Sequence, residues 1–352
     1  MRPPTIRSLR HFLMICPFGL IVLFFFMFLD SGEVEISGWE YNVSRKLQDY
    51  IYIDRITSRI LPEKFCDSPK FLVIMCISDP SGFSSRSVIR ETWGKEKTVM
   101  GQDISLYFLI GETSNTSIQI QLENESQKHN DIIQERFHDS YNNLTLKSAM
   151  MLKLFTMKCQ STARFLLKID QDMYLNLPKL IEDLLERNKS TELLMGSVIC
   201  GAKPITDSKN KWYAGPSYMY SRESYPNYIS GTSYCMSNDV PEKLLNTSLH
   251  TEIFHLEDVY LTGICASKIK LNLTHNGLFT YRMYPTDYCV FKSLITVHYQ
   301  DPTSIKGLYR AMKDADVDRK CQQEKLVFHV HQWFNRNVVA GNRTWRRRVC
   351  GY

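Results

Sequence analysis

An apolar run near the N-terminus constrains this chain more than any other feature. Phe12 to Leu29 ("FLMICPFGLIVLFFFMFL", 18 residues) contains no charged side chain; Arg2, Arg7 and Arg10 precede it, and Asp30, Glu33 and Glu35 follow. At about 1.5 Å per helical residue, such a run nearly crosses a hydrocarbon layer of roughly 30 Å. The arginines hold the N-terminal end in the cytosol, so everything after Leu29 is expected on the lumenal side. A cleaved signal peptide would show a shorter apolar run and small residues before the cut, whereas this run ends in Phe28, Leu29 and Asp30. The pattern predicts a cytosolic tail over 1–11 and an uncleaved signal anchor over 12–29, a single-pass type II topology.

Two further features fit a secretory-pathway compartment. Eight N-x-Ser/Thr sequons follow the run, at Asn42, Asn115, Asn124, Asn143, Asn188, Asn246, Asn272 and Asn342, as suits a glycosylated surface. Nine of the ten cysteines also lie beyond it, and in an oxidising lumen most of them read as disulfide partners. There is no C-x-x-C, which argues against zinc ribbons and thioredoxin-like redox sites. Nine is odd, so at least one thiol stays free or pairs between chains, and the spacing does not reveal the pairing. The net charge of +6 includes the three arginines of the tail; beyond residue 29, 40 basic side chains face 37 acidic ones. That balance gives no reason to expect a nucleic-acid partner. The basic "WRRRVC" near the C-terminus reads as a solvated tail.

Residues 30–69 are mostly polar, with little apolar pattern after Ile53, and are expected to form a lumenal stem. From about Lys70 onward, short apolar runs alternate with helix-like segments. "FLVIMCIS" (71–78), "ISLYFLI" (104–110), "FLLKID" (165–170) and "LLMGSVIC" (193–200) have the continuous apolar character of strands buried on both faces. "SSRSVIRETWG", "NLTLKSAMMLKLFTMKC" and "LPKLIEDLLERN" fit amphipathic helices, the last with Pro178 near its start. The alternation predicts one α/β domain over 70–352, with a mainly parallel central sheet covered by helices on both faces.

In such sheets ligands gather beyond the carboxyl ends of the strands. "FLLKIDQD" ends there with Asp170 and Asp172, whose side chains share a face on an extended chain. Carboxylate oxygens suit hard cations such as Mn²⁺ and Mg²⁺. A polar cap closing a buried strand accounts for the same two aspartates, and the motif alone does not choose between the readings. Arg86 and Arg90, four apart in "RSVIRETWG", share a helix face and offer guanidinium groups suited to a diphosphate. A solvated helix face is the competing reading. Lys147 could add a point charge to the same phosphates or be an ordinary helix lysine. "EDVYLTG" supplies Asp258 and, beside it, Glu257, acidic residues suited both to proton abstraction and to a helix first turn. "YPNYISGTSYCMS" is aromatic-rich around Gly231, where a missing Cβ permits close backbone approach. Tyr234 and Met236 read as packing residues. Trp212 in "KWYAGPSYMY" is either a stacking platform for a ligand such as an acceptor sugar, should the chain bind one, or core.

Six motifs in order, "RSVIRETWG", "LYFLIG", "DIIQERFHDSYNNLTLK", "KIDQDMYLN", "YPNYISGTSYCMS" and "EDVYLTGIC", give the chain a close resemblance to the Golgi β-1,3-glycosyltransferases, and most of all to their β-1,3-galactosyltransferase branch. The resemblance covers about residues 70 to 300. It implies a GT-A-type nucleotide-sugar domain in the Golgi membrane, with UDP-galactose as donor and Mn²⁺ (or Mg²⁺) as cofactor. The transfer it implies is an inverting one to the 3-hydroxyl of a terminal N-acetylhexosamine on a glycoprotein or glycolipid glycan. Sister branches use UDP-GlcNAc or UDP-GalNAc, and an inactive lumenal glycan-binding partner is the alternative from another class. By the same resemblance, Asp172 is the direct metal ligand, Asp170 a second carboxylate near metal and donor, and His298 in "VHYQDP" a third ligand. Arg86, Arg90, Lys147 and Gly231 fall near the UDP-sugar, and Asp258 is the general base. The chain departs from the family pattern at Gln171, between the two aspartates, and at Ser233, where a second glycine is usual. An oligomer is compatible with all of this.

Overall fold

The computed structural model describes residues 34–323 and Cys350, apart from 188, 216, 218, 283–286 and 299. The expected anchor over 12–29 and the sequons at Asn188 and Asn342 lie outside the described residues. No helix among the described residues is long and apolar enough to cross a membrane.

Ten strands form: β1 (Lys70–Ile77), β2 (Thr98–Val99), β3 (Gln102–Glu112), β4 (Ile132–His138), β5 (Ala163–Asp170), β6 (Tyr174–Leu175), β7 (Leu194–Ile199), β8 (Tyr228–Ser237), β9 (Leu273–His275) and β10 (Thr296–Val297). The central sheet runs β3-β1-β5-β8-β7-β9, with β4 and the short β2 on the outer side of β3. The pairs β1/β3, β1/β5, β3/β4 and β7/β9 are parallel, while β8 runs antiparallel between β5 and β7. The sheet is therefore mixed and mostly parallel. The departure comes from "YISGTSYCMS", whose scattered polar residues and glycine hide a ten-residue central strand.

Side-chain alternation divides the interior into two layers. From β1, Val73, Met75 and Ile77 enter one layer, whereas Leu72, Ile74 and Cys76 enter the other. Because both layers are apolar, the strand reads as an unbroken hydrophobic run. Helices α1 (Phe83–Glu91), α2 (Thr116–His129), α3 (Leu144–Leu154), α4 (Leu177–Arg187) and α5 (Val240–Leu249) flank the sheet. α3 and α5 pack in the first layer, α1 and α4 in the second. The helix-like segment 143–159 is α-helical only to Leu154 and continues as a π-helical turn, Phe155–Cys159. Every residue of α3 from Thr145 onward is buried, including Lys147 and Lys153.

The stem expectation fails from residue 34. Ile36, Trp39, Leu47, Ile51, Phe65 and Cys66 belong to the first core layer. Trp39 is 1% exposed, and its Nε1 donates to the Asn142 carbonyl at 2.8 Å. Cys66 is bonded to Cys159, which ties this segment to the end of the α3 extension. The segment looked like a linker because its apolar residues are spaced by loop geometry and follow neither a helical nor a strand period. Further disulfides join Cys200 to Cys350 and Cys289 to Cys321, while Cys76, Cys235 and Cys265 are buried thiols.

Candidate active site

β5 ends in the middle of the sheet, and its last turns organise the site. Lys168 and Asp170 lie two apart and so on one face, turned to the layer that holds Tyr234. The Lys168 Nζ is buried and donates to Asp170 Oδ1 at 2.6 Å and to the Gly231 carbonyl, with Glu257 Oε2 at 3.9 Å. Tyr234 donates to Glu257 Oε1 at 2.5 Å, so its role exceeds the packing expected of it. Gly231 also donates its N–H to Asp258 Oδ2 at 3.0 Å, and Val259 N–H donates to Asp258 Oδ1 at 2.9 Å. Asp258 thus stands before the π-helical turn Val259–Cys265, held by two backbone donors. A Cβ on Gly231 would lie 3.2 Å from both Asp258 Cβ and Glu257 Oε2, which explains the glycine as close approach to these two carboxyls.

Three carboxyls, Asp170, Glu257 and Asp258, therefore share one lysine. Burial pushes the Glu257 carboxyl up to about 7, against the pull of Lys168 and with added repulsion from Asp258. Burial also raises Asp258, although the Gly231 and Val259 amides oppose it. Asp170 is raised by burial and by Asp172, in spite of Lys168. Glu257 is buried, and Asp258 is partly exposed. Of the adjacent acids Asp258 is the more accessible, and its raised affinity for a proton suits a general base.

Asp172 lies in the turn that follows β5. β6 and β10 pair antiparallel, with Tyr174 opposite Val297, and this short ladder brings His298 alongside. His298 Nε2 lies 3.3 Å from Asp172 Oδ2, and the Gln300 N–H donates to the Asp172 carbonyl at 2.8 Å. His298 Nδ1 lies 2.9 Å from the Tyr281 carbonyl, an acceptor that requires the proton on Nδ1. In the neutral tautomer Nε2 then presents its lone pair to the carboxylate. Two facing acceptors at this spacing need a proton or a cation between them, so the donor set fits an oxygen- and nitrogen-preferring divalent ion. Asp170 is turned onto Lys168 instead, and no cluster of three ligand-type side chains is assembled among the described residues.

The arginines are held by acidic partners of their own. Arg86 is fully buried; it forms an ion pair with Glu125 at 2.7 Å and donates to Ser78 Oγ and the Asp79 carbonyl. Arg90 pairs with Glu125 at 2.6 Å and Asp131 at 2.7 Å. Arg86 is committed to Glu125 and the loop after β1, and Arg90 to Glu125 and Asp131, so a solvated helix face does not describe them. Lys147 is buried as well, donating to the Ser78 carbonyl and pairing with Asp139 at 2.7 Å. Gln171 accepts from Ser78 Oγ at 2.6 Å and donates to Asp79 Oδ2. Arg86, Lys147 and Gln171 therefore converge on Ser78 and Asp79, fixing the loop after β1 beside the aspartates. Glu125 lies 39 positions from Arg86, and Ser78 lies 69 from Lys147 and 93 from Gln171, separations that the motifs did not reveal.

Trp212 is 46% exposed on a loop, which excludes core packing. Lys211 Nζ lies over its ring at 4.8 Å and over that of Tyr141 at 5.5 Å. Tyr141 is itself exposed, so both aromatic rings are open to a ligand. Asn42, Asn115, Asn124, Asn246 and Asn272 are exposed. Asn143 is half-buried and donates to the His138 carbonyl, with the Thr145 of its sequon in the core.

Comparison with known proteins places this site in a family. The model described as Galactosyltransferase matches residues 84–277, a span that contains Arg86, Lys147, the two aspartates of β5 and its turn, Gly231 and Asp258. The chain is 37% identical over 253 residues to "Beta-1,3-galactosyltransferase 1" of Homo sapiens, covering 71% of this chain and 76% of that protein. This chain belongs to the galactosyltransferase family. It is a hexosyltransferase, and its relatives include "Beta-1,3-galactosyltransferase 5" of Homo sapiens, 32% identical over 279 residues, 77% of this chain and 87% of that protein. Among solved structures, a glycosyltransferase involved in glycosylation of the major capsid of PBCV-1 covers 68% of this chain and 98% of its own, at 13% identity and a TM-score of 0.38.

Proposed function

We propose that this galactosyltransferase-family enzyme moves galactose from UDP-galactose to the 3-hydroxyl of a terminal N-acetylhexosamine, on a GT-A-type domain and with inversion. The observation that carries the reading is the placement of a backbone-anchored, partly exposed Asp258 next to a second acidic pole at the end of β5. Asp258 takes the proton of the acceptor hydroxyl as its oxygen attacks the anomeric carbon. Mn²⁺, or Mg²⁺ in its place, would be held by Asp172, His298 and Asp170 and would neutralise the diphosphate of the departing UDP. Arg86, Lys147 and Gln171 hold the loop that borders the nucleotide, and Tyr141 with Trp212 offers aromatic faces to the acceptor sugar. The relatives' names support the donor and the linkage. The apolar run over 12–29 and the sequons support a type II Golgi-membrane enzyme with glycan acceptors on lumenal glycoproteins or glycolipids.

A donor-by-acceptor matrix on detergent-solubilised full-length chain, with and without Mn²⁺, tests the proposal. UDP release from UDP-galactose, dependent on both metal and an N-acetylhexosamine acceptor, is expected. Faster turnover of UDP-GlcNAc or UDP-GalNAc would replace the donor assignment. Acceptor binding with no turnover of any donor would identify a glycan-binding protein.

A further inference from the structure

Among the buried ionic groups, Lys168 holds a position that none of the roles above assigns. Its ammonium is enclosed by the Asp170 carboxylate at 2.6 Å, the Gly231 carbonyl, the Glu257 carboxyl at 3.9 Å and the Tyr234 ring, whose centroid is 5.8 Å away. One cation thus touches both poles of the site. Asp170 belongs to the metal side, and Gly231, through its N–H, fixes the base Asp258. The carboxylate that Lys168 grips is also the one that a divalent ion would need, while Asp172 and His298 already face each other without it.

We infer that Lys168 is a positioning residue that withholds Asp170 from the metal and releases it when donor and metal arrive together, its charge then remaining with Gly231, Glu257 and Asp258. The inference rests on the metal reading proposed above and deepens it. A cation 2.6 Å from a carboxylate competes directly with any second cation for the same oxygens. With the diphosphate absent, the ion has only Asp172 and His298 and binds weakly. With the diphosphate present, its oxygens supply the missing ligands and hold the ion in place, and the double charge of the ion beside Asp170 then outweighs the single charge of the lysine. Lys168 keeps a hydrogen bond to the Gly231 carbonyl throughout, so the base stays registered while the metal pole rearranges. A lysine serving only as a buried structural cation would have the opposite consequence for metal, because its removal would loosen the carboxylates around it.

Mn²⁺ binding in the absence of nucleotide, followed by electron paramagnetic resonance of the free ion, separates these roles on the full-length chain. Lys168→Met is expected to bind Mn²⁺ about tenfold more tightly than wild type, because Asp170 loses its competing cation. Its kcat for transfer is expected to fall by about a hundredfold or more, since the Gly231–Asp258 arrangement loses its anchor. Unchanged or weaker Mn²⁺ binding by Lys168→Met would overturn the inference. If Lys168→Met does not fold, Lys168→Met/Glu257→Gln removes one charge of each sign from the cluster, and it is expected to show the same tighter binding. Lys168→Arg, which keeps the cation, should bind Mn²⁺ as wild type does. Absence of Mn²⁺ binding by wild type, both alone and with UDP, would instead remove the metal assignment on which the inference stands.

Discussion

The molecule contains two buried clusters of charge that look alike in the sequence and differ in their balance. In the first, Arg86 and Arg90 meet Glu125 and Asp131, so that two guanidinium groups face two carboxylates. In the second, the single ammonium of Lys168 serves Asp170, Glu257 and Asp258. Each charge of the first cluster is neutralised by a planar, multidentate partner, and the arrangement locks α1 to α2 and to β4. The second sets three carboxyls against one ammonium in a poorly hydrated place, which raises the carboxyls' hold on protons. A balanced cluster maintains shape, while an unbalanced one is prepared for a ligand that completes it.

The comparison breaks most sharply at the two poles. Asp258→Asn keeps the shape of the side chain and removes its basicity, so kcat should fall by about 10³-fold or more while the thermal midpoint moves by only a few degrees. Steady-state kinetics beside a thermal melt would show it, and unchanged turnover would end the base assignment. Arg86→Met in the balanced cluster should do the reverse. It strands Glu125 against Arg90 alone and removes the donor to Ser78 and Asp79, costing about 3 kcal/mol or more of stability. Turnover per folded molecule should fall far less than in Asp258→Asn, and denaturant unfolding together with active-site titration would measure the two effects separately.

A smaller effect sharpens the comparison through pH. Glu257 holds its proton up to about 7 in the folded chain, whereas its ordinary value is 4.5. Between those values the folded chain binds more protons than the unfolded chain, so this group's stabilisation, fully present below about pH 4.5, is lost as pH rises to about 7. Glu257→Gln should remove from the stability curve a downward slope of at most about 1.4 kcal/mol per pH unit in that window. Denaturant midpoints from pH 4.5 to 8 would reveal it, and parallel curves for variant and wild type would sink the assignment. No comparable slope is expected from the balanced cluster.

Much of the layout was legible before any coordinates. Four apolar runs became β1, β3, β5 and β7, because a strand buried on both faces has no choice but continuous hydrophobicity. The carboxylates at the end of β5 and the acidic pair before "VYLTG" were also visible, since each directly adjoins an apolar run that marks a strand or helix end. β8 was not legible as a strand, because its polar residues serve the site and break the apolar signal. Residues 34–69 passed for a stem for a related reason: Trp39 and Leu47 are core only because loops carry them there.

The sequence by itself determined the order of motifs, the pattern of buried strands and hence the family, because spacing along the chain dictates which faces and ends side chains occupy. Only the tertiary structure decided which charges meet. Glu125 reaches Arg86 across 39 positions, Glu257 approaches Lys168 across 89, and His298 reaches Asp172 across 126. Electrostatic partnership depends on distance in space and on burial, and neither is written in the local pattern that surrounds an arginine, a lysine or a histidine.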